Sequence, residues 1–503
     1  MVAETVPTQK VRTYGNWRKP TSSGILGLGA VGTAILFVGS IVVILVMMTQ
    51  GLLEAFLTAV GVGMVLLLLL MKDQHGRNAL SRISNRIGWW SARSRGTNVY
   101  RSGPAGQSPW GTNQLPGLAA PMRLSEHHDS YNRPFALLFT PRGSSYSVVI
   151  STEPDGASLV DQEQIDVWVA DFGHMLANLA DEPGLEAASV TIETAPDSGA
   201  RLRREVESNL DPNAPAFSRA MMLSVVENYP AGSSTVKAYV AFTFSAYARK
   251  GGKRRKPDEM ARELASRLPG LTAQLEATGA GAAHPMTAQT LCEYVRVAYD
   301  PKAATLIDSA HAKGEVPEMS WLDVGPSAAE AQWGNYRHDS GLSVTWSMTG
   351  APRGNVQSGV LARLMAPHRD IARKRVTLLY RPVSAARAAA MVEADLNAAT
   401  FRATANTKAK ARDSLAVRAA AATAGEEASG AGLVNFGMLI TATVTDTDML
   451  PDATAAVDNL SATARLRLRP VYGSQDSAFV AALPLGLVLP KHISIPAELR
   501  NNL

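Results

Sequence analysis

The residues of this chain that could do chemistry are few and scattered. No Gly-x4-Gly-Lys-Ser/Thr loop is present. The nearest candidate, Gly251-Gly252-Lys253-Arg254-Arg255-Lys256, lacks the hydroxyl residue and the leading glycine spacing that lets backbone amides cradle a phosphate. There is no His-Glu-x-x-His, no Gly-x-Ser-x-Gly and no dinucleotide fingerprint after a strand. His127-His128-Asp129 carries metal-ligating atoms, but adjacent histidines in a polar linker point apart, and no further ligand is identifiable. Asp446-Thr447-Asp448 matches the Asp-x-Asp of glycosyltransferases. It falls between a strand and a helix, where a carboxylate serves as an N-cap, and capping is the expected role. The single cysteine, Cys292, excludes an intrachain disulfide and a multi-cysteine zinc site, and its helical setting makes it a core residue. The expectation is a protein that is not an enzyme and holds neither metal nor cofactor.

The densest charge in the soluble portion is the loop bearing Arg249, Lys250, Lys253, Arg254, Arg255 and Lys256. It reads as a solvated connection between a strand and a helix. Acidic lipid, or a partner's acidic patch, is the alternative, and nucleic-acid contact is left open because one basic loop specifies little.

Whatever these residues do, they are positioned by a membrane-anchored chain. No charge occurs between Lys19 and Glu54, and Ile25 to Met48 is apolar, small or hydroxylic. Those 24 residues make a helix of about 36 Å, enough for a bilayer core of ~30 Å. A second run, Ala55 to Met71, ends in an unbroken leucine tract. The first run is too long for a cleaved signal peptide and is followed at once by the second. Lys10, Arg12, Arg18 and Lys19 precede the pair, and Lys72, Arg77, Arg82, Arg86, Arg93, Arg95 and Arg101 follow it, while the turn between carries no basic residue. Both ends are therefore expected in the cytoplasm, in a multi-pass protein of the cell membrane. These flanks more than account for the net charge of +5. Gly24, Gly27, Ala30, Gly32, Ala34 and Gly39 of the first span permit close helix packing, with the second span or with other membrane subunits.

The expected organisation is a cytoplasmic tail at 1–22, a transmembrane hairpin at 23–72, a basic interfacial helix at 73–95 and an irregular linker at 96–128. Two related α+β subdomains follow, at 129–325 and 326–503, with helices on one sheet face. In the interfacial helix Leu80, Ile83, Ile87 and Trp90 recur at helical spacing; Trp89 and Trp90 suit the headgroup zone, and Arg82 and Arg86 suit anionic lipid. Beyond it, alternation predicts strands at 134–139, 146–152, 187–194, 235–246, 342–348, 373–380, 435–446 and 466–472. Helical periodicity falls at 161–179, 216–229, 258–278, 287–299, 356–364, 382–406 and 448–464. The alanine-rich, arginine-over-lysine composition suggests a high-GC bacterium.

One segment resembles a known family. Leu439-Ile-Thr-Ala-Thr-Val-Thr-Asp-Thr-Asp-Met-Leu-Pro-Asp-Ala453, followed by Leu466 to Gly486, is similar to the end of the N-terminal domain of conjugative type IV secretion ATPases. There a strand, helix and strand lead into a Gln-x-x-Ala-Phe-x-x-x-Leu-Pro-like element, here Gln475, Ala478, Phe479, Leu483, Pro484 and Gly486. Thr377-Leu-Leu-Tyr-Arg-Pro382 and Tyr299-Asp300-Pro301 match further landmarks. Tyr14-Gly-Asn-Trp-Arg-Lys-Pro20 with its two-helix hairpin resembles the small PrgI-like inner-membrane subunit of the same machines. The family's motor would begin where this chain stops, at Leu503. The resemblance therefore implies an actinobacterial conjugation-associated membrane component that anchors and organises a separately encoded P-loop ATPase. Gln475, Phe479, Leu483, Pro484 and Gly486 would lie near that motor, and other secretion subunits and copies of itself would be partners. A structural subunit of type VII secretion and a membrane-bound glycosyltransferase are the competing expectations.

Overall fold

The computed structural model describes residues 12–17, 29–71, 79–106, 112–154, 156, 159–197, 199–228, 234–248, 252–352, 354–405 and 411–492. Two apolar helices come first, α1 (Gly29–Thr49) and α2 (Leu52–Leu70), turning at Gly51. Both are long and apolar enough to cross a membrane, and little of either is buried against the rest of the molecule. Their few hydroxyls fold back onto the helix: Ser40, Thr49 and Thr58 each donate to the carbonyl four residues earlier. This leaves few side-chain polar groups facing outward. α3 (Ala79–Ser94) follows.

The body begins with β1 (Val99–Arg101), β2 (Arg123–His128), β3 (Pro134–Thr140) and β4 (Ser145–Glu153). Next come α4 (Gln162–Asn178), β5 (Leu185–Pro196), α5 (Ala200–Asn209), α6 (Ala216–Asn228), β6 (Ser234–Ser245) and α7 (Pro257–Leu275). β7 (Ala282–Pro285), α8 (Ala288–Tyr299), α9 (Ala303–Ala312), β8 (Ala328–Ala331), β9 (Tyr336–His338) and β10 (Gly341–Gly350) lead to a short α10 (Ala362–Met365). The rest is β11 (Arg373–Pro382), α11 (Ala385–Thr404), α12 (Ala411–Ala428), β12 (Val434–Val444), α13 (Leu450–Thr463), β13 (Arg467–Pro470) and α14 (Gln475–Ala481).

Among the described residues these strands form one 13-stranded sheet in the order β1-β8-β9-β10-β12-β11-β5-β6-β4-β3-β2, with β13 paired to β10 and β7 to β4. All of its pairings are antiparallel. The sheet crosses the boundary expected at 325/326 without a break: β5 pairs with β11 from Ala188↔Tyr380 to Thr194↔Lys374. The helices also cover both faces, not one. Phe135, Leu137, Val148, Ile150 and Phe242 pack with α4 and α7, whereas the alternate residues Ala136, Leu138, Val149 and Ala241 pack with α8 and α14. Successive strand residues face opposite ways, so a strand such as β3, apolar on both parities, requires cover on both sides.

Residues 96–128, expected as an irregular linker, are built into the body. They supply edge strands at both ends of the sheet, and Leu115, Ala119 and Met122 are core residues. What holds this Gly- and Pro-rich segment is long-range hydrogen bonding: the Ser102 hydroxyl donates to the Pro326 carbonyl, and its amide to that of Ser327. Such bonds leave no periodicity to read.

Candidate membrane-coupling site

Both flanks of the apolar hairpin are fastened to the same folded body. Ahead of α1, Tyr14 and Val356 exchange two backbone hydrogen bonds of 2.8 Å. Asn16, held at a positive φ, donates to the Ala419 carbonyl and the Thr423 hydroxyl of α12. Arg12 reaches Asp166 of α4 at 3.7 Å. After α2, α3 docks through aromatic rings. Trp89 meets Trp333 edge-on with ring centroids 5.4 Å apart, and Trp333 stacks on Tyr472 at 5.8 Å. The Arg86 guanidinium lies 4.6 Å over the Trp333 ring, and Arg93 covers Trp89.

Arg86 and Trp89, expected at the membrane interface, both contact the Trp333 ring of the body, although Arg86 stays exposed. Trp90, by contrast, is 69% exposed, and Arg82 is exposed as well. Gly473 makes the stack possible. Its φ is +79°, and a Cβ there would come within 2.7 Å of the Trp333 ring.

In the hairpin, Gly32 and Gly39 are buried. A Cβ on Gly39 would sit 2.5 Å from the Val62 side chain, so Gly39 is where α1 and α2 approach closely. Ala34 is exposed and outside that seam. Gly24 and Gly27 lie outside the described residues, as does the side chain of Ala30.

The element expected near a motor is interior. Gln475, Phe479, Leu483, Pro484 and Gly486 are all buried, so none of these side chains offers a surface contact. Gln475 acts as a surrogate strand residue: its side-chain amide donates to the Thr345 carbonyl and its side-chain oxygen accepts from the Thr345 amide. The chain then lies across a hydroxyl-lined sheet face, where Thr377 donates to the Ala482 carbonyl and Thr243 to the Gly486 carbonyl. These threonines satisfy backbone acceptors that a buried segment cannot give to water.

Beside this segment is an enclosed charge network. Glu193 on β5 pairs with Arg375 at 2.7 Å and Arg373 at 2.9 Å, and accepts from the Tyr294 hydroxyl at 3.0 Å. Burial alone would raise the Glu193 pKa, but Arg375 and Arg373 bring it down to about 2. Nearby, burial lowers the pKa of His338 to about 4; its ring nitrogens bond the Tyr299 carbonyl and the Ser343 hydroxyl. Burial pushes the Cys292 thiol up to about 12 and keeps it a neutral core residue.

The basic loop is partly structural. Arg255 pairs with Glu263 and donates to the Ser245 carbonyl, Arg254 lies over the Phe139 ring, and Lys256 begins α7, its amide donating to Glu259. Lys253 is exposed, and Lys250 lies outside the described residues. Asp446 caps the turn before α13 by accepting from the Asp448 amide. His127 bonds Ser125, while Asp129 pairs with Arg133. Among the described residues no His, Cys, Asp and Glu cluster could hold a metal.

Trp333 and Tyr472 were not legible as partners of Trp89, because no spacing rule connects residues so distant in sequence. Residues 21–81 match a family model described as a domain of unknown function (DUF8461), a stretch that covers both apolar helices and ends inside α3. No curated protein matches the chain.

Proposed function

We propose that this chain is a noncatalytic inner-membrane subunit of a type IV secretion or conjugation-like apparatus, which anchors and organises a separately encoded P-loop ATPase. The observation that carries the anchoring is the docking of both hairpin flanks on one body. A chain whose residues before the first span and after the second both grip that body leaves and re-enters on a single side, and only the Thr49–Leu52 turn reaches the other. The basic excess on both flanks supports a cytoplasmic location for the shared side and both termini.

The noncatalytic reading is supported by where the charge sits. Glu193, Arg373 and Arg375 neutralise one another inside the sheet, and Asp446 is spent on a cap. The ATPase rests on the resemblance around Gln475 to Gly486. Because those side chains are buried, the partner would be met through the surface this segment shapes. The small-residue seam leaves the exposed faces of α1 and α2 for lipid, for other membrane subunits and for further copies of the chain.

The test is affinity purification of the full chain from native membranes in mild detergent after crosslinking. Recovery of a P-loop ATPase in stable proportion is expected. Its consistent absence, with the chain intact, would overturn the proposal.

A further inference from the structure

We infer that α3 is a two-faced clamp, with Ile83, Ile87 and Trp90 seated in the lipid interface while Arg86 and Trp89 hold the soluble body and Arg93 braces Trp89. This rests on the anchoring reading and adds which face of α3 meets which partner. At 3.6 residues per turn, positions 83, 87 and 90 share one stripe, and 86, 89 and 93 share another about a quarter-turn away. The second stripe is engaged with Trp333 and with itself. The first is open: Ile83 is 45%, Ile87 60% and Trp90 69% exposed.

Lipid is the occupant for two reasons. α3 begins beside the end of the second span, the Ala79 amide donating to the Met71 carbonyl at 3.0 Å. A stripe this close to the end of a membrane-crossing helix lies at bilayer depth, where Ile and Trp side chains partition into the headgroup boundary. The charge agrees. Between Asp73 and Glu126 the chain has no acidic residue, while Arg77, Arg82, Arg86, Arg93, Arg95, Arg101 and Arg123 lie in that interval. Such a segment is drawn to the anionic cytoplasmic leaflet. Since the two stripes are distinct, lipid seating and body docking do not compete. The helix thereby fixes how the Trp333–Tyr472 edge of the sheet stands at the membrane.

The test is collision accessibility of a spin label in the full chain, reconstituted into phosphatidylcholine–phosphatidylserine vesicles. Native Cys292 is buried, so label is directed to Ile87→Cys, Asn85→Cys on the opposite side of α3, or Leu57→Cys in α2. Labels at 57 and 87 should collide severalfold more with oxygen than with a water-soluble nickel chelate, with the reverse at 85. If 57 behaves as lipid-exposed but 87 matches 85, the clamp is overturned and the anchor stands. If 57 also favours the chelate, the anchor falls with it.

Discussion

Replacing Trp333 with alanine removes the platform on which α3 docks while leaving the hairpin sequence untouched. Three contacts go: the edge-on Trp89 ring, the stacked Tyr472 ring and the Arg86 guanidinium. Ring pairs contribute about 0.5–1.5 kcal/mol each beyond area burial, and a guanidinium over an indole at a partly exposed site about 0.5–1 kcal/mol. The loss assigned to docking is then about 2 kcal/mol, or ~30-fold in the equilibrium between docked and undocked α3. Hydrogen exchange of the full chain in lipid nanodiscs reads this locally. Amides of residues 79–101 should exchange ~30-fold faster, while β3 and β4, far across the sheet, keep wild-type protection. A cycle with Trp89→Ala should give a coupling of about 1 kcal/mol, since the two rings touch. Unchanged exchange in α3, or an equal rise throughout the sheet, would refute the docking argument.

Further outcomes follow from the interior. Gln475→Ala leaves the Thr345 amide unpaired in the core, while the Thr345 carbonyl keeps the Val471 amide, and should cost about 1–3 kcal/mol in urea unfolding of the body. Gly486→Ala should destabilise it as well, because φ is +67° and the new methyl would meet the Ser147 and Thr243 hydroxyls at 2.2 and 2.4 Å; Ser147→Gly should restore part of the loss. Acid should destabilise the body over two pH ranges. His338 is neutral when folded, with its pKa lowered from 6.5 to about 4, so stability falls as pH drops from 6.5 toward 4. Glu193 is lowered from 4.5 to about 2, so its contribution is complete above 4.5 and lost as pH falls through 2. Each displacement is worth about 3 kcal/mol. Urea titrations across this range should show both limbs, and Glu193→Gln should remove only the lower one.

Much of the fold was legible because it rests on periodicity. The expected hairpin at 134–152 is β3 and β4, the helix at 287–299 is α8, and the strands at 373–380 and 435–446 are β11 and β12, in register from Arg373↔Thr443 to Pro382↔Val434. Strand order was not legible, because the meeting of β5 and β11 depends on which apolar faces cover each other, and alternation records only that a face is apolar. The helix at 411–428 escaped notice because its alanines recur without contrast. The Gln475 element was conspicuous in sequence, yet its residues serve the interior: a glutamine that completes a β ladder and one that recognises a partner look alike in one dimension. Trp89 and Trp90 likewise form an indistinguishable pair in sequence, and only the quarter-turn between their faces assigns one to the body.

The central claim is that the two apolar helices form a hairpin whose flanks share one side of a membrane. Cysteine accessibility in intact cells tests it most directly, with Gln50→Cys in the turn and Asn85→Cys in α3 probed by a membrane-impermeant maleimide; native Cys292, buried in the core, supplies the unreactive background. Labelling at 50 in intact cells, with 85 reacting only after permeabilisation, is the expected pattern. Labelling of both from outside, or protection of 50 while 85 reacts, would contradict it.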